Sequence, residues 1–166
     1  MMISLLLILV LVKFFISRCF MCVFFFLVVL LKICVVGLGL MGSALAKRLK
    51  SVGFDVVVYN RSLDKAKKSA EELSVKYVES PGGCCREADV IVLFVADDVA
   101  LIDVVLMPGG IAGEVRGRDV VNMSTVSTVV SARVSRVVSD GGRYVEAPVW
   151  GSVSEVLEGK LIAMVA

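Results

Sequence analysis

The chain has 166 residues, 58% of them hydrophobic and 20% charged, with a formal net charge of +2 and no histidine. Histidine-based metal sites and histidine general bases are therefore excluded. The near-neutral balance, with no basic patch interleaved with aromatics, speaks against a nucleic-acid partner. Mean hydropathy is +0.90, and the excess sits in residues 1–31, which are apolar apart from Lys13, Arg18 and a few small polar residues. Without those two cations the remainder carries 16 basic against 16 acidic residues.

Three readings compete for this N-terminal segment. As a membrane anchor, its uncharged runs over 1–12 and 19–31 each fall short of the roughly 20 residues a span needs. A span over 14–31 would have to snorkel Arg18 near one end. As a secretory leader, it lacks a basic first region and a small-residue cleavage site. As an over-extended start, with the true one near Leu31, it explains why no loop precedes the first strand. The last reading is favoured and implies a cytoplasmic protein; the alternative is a membrane-anchored one facing the cytoplasm. The five cysteines make no site: Cys19 and Cys22 lie in the apolar segment, Cys34 falls in a strand, and Cys84 and Cys85 are adjacent. Reduced thiols are expected, and no metal.

From residue 32 the elements alternate. A short apolar strand over 33–36 suits a sheet covered on both faces. A glycine turn follows, then a helix with Met41, Leu45, Leu49 and Val52 on one face and Gly53 at its stop. A second strand runs through 56–59, and Ser62 is a good N-cap for a helix over 63–73. Strands are expected over 75–78 and 90–95, with a brief helix from the Ser80-Pro81-Gly82-Gly83 turn to Glu87 between them. Asp97 and Asp98 suit the start of a helix ending at Met107. Another strand covers 119–123, then a helix over 124–139 capped by Ser124 or Thr125. A strand over 143–147, a turn and short helix over 148–159, and a last strand over 161–165 complete the chain. Strands alternating with helices predict an α/β fold, a doubly wound, mostly parallel sheet preceded by the apolar segment. One domain over 32–166 is expected.

The glycine turn carries the chemistry. Gly37-Leu38-Gly39-Leu40-Met41-Gly42 follows a strand and opens a helix, the Rossmann context for a dinucleotide. Gly37 permits the tight turn, Gly39 lets backbone approach a pyrophosphate, and Gly42 lets helix pack on strand, while the helix N-terminus faces the phosphates. NAD-binding versions carry an acidic residue at the end of the second strand. Here Asn60, Arg61 and Ser62 stand there, and Arg61 can pair with a 2′-phosphate, so NADP is favoured over NAD. Further on, Ser124 lies at the end of one strand, and Pro148, Gly151 and Ser152 at the end of the next. Hydroxyls and backbone N–H groups there suit a small carboxylate substrate beside a nicotinamide.

Together the segments GLGLMG, VYNRS, VVNMSTVST and VEAPVWGSVSEVLEGKLIAMV resemble the β-hydroxyacid dehydrogenase family over residues 32–166. That family includes 3-hydroxyisobutyrate dehydrogenase, glyoxylate/succinic semialdehyde reductases and the NADP-binding domain of 6-phosphogluconate dehydrogenase. The resemblance implies that Gly37 through Gly42 grip the pyrophosphate and that Asn60, Arg61 and Ser62 read the adenosine ribose. It implies that Val95 and Ala96 lie along the cofactor, that Ser124 meets substrate or nicotinamide, and that Gly151 and Ser152 hold the substrate carboxylate. Three positions depart from the pattern: Ala96 replaces a proline, Thr128 a proline and Trp150 a serine. The family's helical second domain, with its catalytic lysine and dimer contacts, has no counterpart before Ala166, and Lys160 does not match that lysine. The expectation is an NADP-binding chain, inactive alone, with a homodimer or a separate helical domain as partner. The alternative is a membrane-tethered nucleotide-sensing regulatory domain.

Overall fold

Nine strands and six α-helices are seen in a computed structural model that describes residues 31–166 and the backbone of residues 2–4. The readings of the apolar N-terminal segment fall outside the described residues, apart from a short strand β1 (Met2–Ser4). Six strands then form one parallel sheet. They are β2 (Lys32–Val36), β3 (Asp55–Tyr59), β4 (Lys76–Tyr77), β5 (Val90–Leu93), β6 (Asp119–Asn122) and β7 (Arg143–Glu146), in the order β4-β3-β2-β5-β6-β7. Register places Ile33 beside Val56 and Val90, and Val35 beside Val58 and Val92.

The alternation of side chains along these strands builds two cores. Ile33, Val35, Val56 and Val58 face helices α1 (Leu40–Ser51) and α2 (Leu63–Leu73). Cys34, Val36, Val57, Ile91 and Leu93 face α3 (Pro81–Glu87), α4 (Asp98–Leu106) and α5 (Thr128–Ser139). With both faces covered, the central strands are continuous apolar runs and are fully buried. The α2 helix buries only Ala66 and Ala70, side chains small enough to bring its axis close to the sheet. It stops at Ser74, in the left-handed conformation at φ 52°. The carboxylate of Asp97 accepts from the Ala100 N–H at 2.8 Å, so it caps α4 as expected.

Three differences from the sequence reading have physical causes. The α5 helix begins at Thr128, capped by Ser127, because Ser124 is held at the end of β6. The chain after β7 does not extend the parallel sheet. β8 (Val149–Trp150), α6 (Val153–Glu158) and β9 (Ile162–Met164) fold back, with β9 antiparallel to β8 and to β1. Val156, Leu161 and Ala163 thereby join the core under α1. Finally, Cys34 on β2 and Cys84 on α3 are paired as a disulfide with Cα atoms 5.6 Å apart, which corrects the expectation of independent thiols. Cys85 is free and buried, and burial pushes its thiol up to about 11.

At the end of the sheet where β6 and β7 begin, Asp119 is buried and accepts two hydrogen bonds from Arg143. Among the described residues, no helix is long and apolar enough to cross a membrane.

Candidate dinucleotide site

The chain leaves β2 toward one face of the sheet and β5 toward the other, so a crevice opens at the carboxyl ends of these two neighbours. Its floor is backbone. Gly37, at φ +92°, donates its N–H to the Tyr59 carbonyl at 2.9 Å. A Cβ on Gly37 would lie 2.0 Å from the Phe94 carbonyl oxygen, and one on Gly42 would lie 1.9 Å from the Gly37 carbonyl oxygen. These two glycines thus allow strand, turn and helix to touch. Gly39 differs: a Cβ there would meet no protein atom within 4 Å, and the residue lines the crevice. It precedes α1 as its N-cap, no side chain caps that helix, and its first turn contains no acidic residue. The leading N–H groups of α1 are therefore presented to an anion.

One wall comes from the end of β3 and the first turn of α2. Asn60 lies between the two: its Oδ1 accepts from the Leu38 N–H at 3.0 Å, and its Nδ2 donates to the Ser62 carbonyl at 3.3 Å. Arg61 and Lys65 line the crevice beside it, with Tyr59 beneath. Burial raises the Tyr59 phenol above its ordinary value, the nearby Arg61 guanidinium pulling the other way, so it is neutral at pH 7. The facing wall is Val95, Ala96, Ala100, Asp103 and Val104, with Pro81 at one side. The open cleft has a volume of about 550 Å³, within the range of small-molecule sites.

Nine of the eleven expected cofactor residues line this cleft: Gly37, Gly39, Leu40, Met41, Gly42, Asn60, Arg61, Val95 and Ala96. Leu38 does not, because its side chain is wholly buried in the core and only its N–H serves the turn. Ser62 does not either: its hydroxyl accepts from the Lys65 N–H and caps α2. The expected substrate residues lie outside the lining. Ser124 is buried; its hydroxyl accepts from the Val95 N–H at 2.9 Å and donates to the Leu93 carbonyl at 3.3 Å, pinning the end of β5. Gly151, at φ +142°, and Ser152 are exposed in the turn from β8 to α6, where the Ser152 N–H donates to the Glu155 carboxylate. Sequence reasoning missed Lys65 and Asp103. Lys65 had a signal, since it stands four residues after Arg61 in the first turn of a helix. Asp103 had none, because α4 reads as an apolar covering helix.

Fold and site together define a Rossmann-type dinucleotide-binding domain: a doubly wound sheet with an open glycine turn and an uncapped helix at its switch point. Over residues 32–166 the chain matches the family described as the NAD binding domain of 6-phosphogluconate dehydrogenase, and it belongs to that family. It is 33% identical over 132 residues to glyoxylate/succinic semialdehyde reductase 1 of Arabidopsis thaliana, covering 78% of this chain and 45% of that protein. It is 35% identical over 137 residues to the cytokine-like nuclear factor N-PAC of Homo sapiens, covering 81% of this chain and 25% of that protein. Among solved structures it resembles Psf3 in complex with NADP+ and 2-OPP, with a TM-score of 0.75 and 29% identity, covering 80% of this chain and 48% of that one. The chain spans less than half the length of these relatives.

Proposed function

We propose that this chain is the NADP-binding part of an oxidoreductase that passes hydride between the nicotinamide and a small β-hydroxyacid or its aldehyde or keto form. The observation that carries the cofactor choice is that Arg61, just after β3, and Lys65, in the first turn of α2, both line the cleft, while Asn60-Arg61-Ser62 at the end of β3 holds no carboxylate. A 2′-phosphate is a dianion with acceptor oxygens that a guanidinium fork and an ammonium can share. The donor set fits the remainder of the dinucleotide as well. The N–H groups at the start of α1 face the pyrophosphate over the open surface of Gly39. The guanidinium of Arg61 can stack on the adenine ring.

The bound dinucleotide supplies the hydride chemistry, and the protein supplies orientation and electrostatics. Ser124 acts one step back from the substrate, fixing the strand end that carries Val95 into the cleft. The exposed Gly151–Ser152 turn is the expected place for the substrate carboxylate. Support for a small hydroxyacid or semialdehyde comes from the Arabidopsis relative, whose name states glyoxylate and succinic semialdehyde.

Titration of the purified chain with NADPH and NADH tests the cofactor choice. NADPH is expected to bind at least about tenfold more tightly, and Arg61→Asp to reverse that order, because the pairing cation becomes a repelling anion. Equal affinities in the unaltered chain would overturn the reading.

A further inference from the structure

Asn60 lines the cleft, yet both ends of its amide are engaged within the protein. Its acceptor holds the Leu38 N–H, the donor between Gly37 and Gly39 that sets the shape of the phosphate turn. Its donor holds the carbonyl of Ser62, the residue that caps α2 and joins Arg61 to Lys65. One side chain thus bridges two stretches 22 residues apart in sequence. The bridge needs an acceptor at one end, a donor at the other and no net charge. Aspartate offers only acceptors and brings a negative charge toward the phosphates. Alanine offers nothing, and glutamine is one methylene longer.

We propose that Asn60 is a positioning residue that fixes the spacing between the pyrophosphate turn and the cations meant for the 2′-phosphate, and that it does not itself read the ribose. The proposal rests on the reading of this cleft as an NADP site. A ligand that spans both subsites then depends on Asn60, whereas a fragment that reaches only Arg61 and Lys65 does not.

The test compares NADPH with adenosine 2′-monophosphate on the full chain, unaltered and as Asn60→Ala. NADPH should weaken about tenfold, the scale of one lost positioning interaction, while the fragment stays within about twofold. Equal weakening of both would show that Asn60 contacts the ribose directly, and unchanged NADPH affinity would show that it positions nothing; either result overturns the proposal. A second readout needs no ligand. Exchange of the Leu38 amide proton should quicken about fivefold or more in Asn60→Ala and stay slow in Asn60→Asp, which keeps the acceptor. Asn60→Asp also serves if the alanine variant does not fold: it should keep the Leu38 protection and lose the NADPH preference. If the unaltered chain binds neither ligand, the NADP reading fails, and Leu38 exchange alone decides whether the bridge holds the turn.

Discussion

A methyl group at Gly42 would have to sit 1.9 Å from the Gly37 carbonyl oxygen, whereas one at Gly39 would meet no atom of the protein within 4 Å. The same substitution therefore separates folding from binding. Gly42→Ala should lower stability by about 1 to 3 kcal/mol or more, because strand and helix must move apart. Gly39→Ala should leave the melting temperature nearly unchanged and weaken NADPH, because its methyl group stands in the cleft. Thermal unfolding and NADPH titration of both variants check this, and equal melting temperatures would contradict it. The spacing of the three glycines was legible in the sequence, and so was the division between Gly39, open to the ligand, and Gly37 and Gly42, which serve the packing. The contact that crowds Gly37 was not. That depends on Phe94, a residue 57 positions from Gly37 whose carbonyl closes over it only once β2 and β5 pair.

Local signals placed the helices well where the helix ends itself and poorly where another element intervenes. The α2 helix runs from Leu63 to Leu73 as its cap and composition predict. The α5 helix starts four residues later than expected, because the Ser124 hydroxyl is committed to the end of β5 and the cap passes to Ser127. The N–H of Ser127 is in turn held by the carboxylate of Asp98 at the start of α4, at 2.8 Å. Neither tie has a signature in sequence spacing; the serines and the aspartate look like caps of their own helices. The hydrogen bonds from Ser127 hold the Asp98 carboxyl below its ordinary value. The tie is thus complete above the usual carboxylate range, near pH 4, and is lost as pH falls through the lower folded-state value. The amide resonance of Ser127 should follow that titration in NMR, and Asp98→Ala should abolish it.

At the scale of the whole molecule, the α/β class was legible from alternation, but strand order and the fate of the last strand were not. A short strand such as β9 pairs wherever apolar surface remains, and here Leu161 and Ala163 complete the core under α1, which no periodicity records. The link between Cys34 and Cys84 was hidden for a similar reason: 50 residues separate them, and only the packing of α3 on β2 brings them together. Closing a loop of that length restricts the unfolded chain, so a reductant should lower stability by about 2 to 4 kcal/mol. Chemical denaturation with and without reductant measures this, and Cys84→Ser should remove the difference. The cleft has one more property at this scale. Every residue that lines it falls between Val36 and Val104, so β6, β7 and the fold-back after them add nothing to its lining. The later strands serve the cleft only from behind, through the Ser124 hydroxyl that ties down the end of β5.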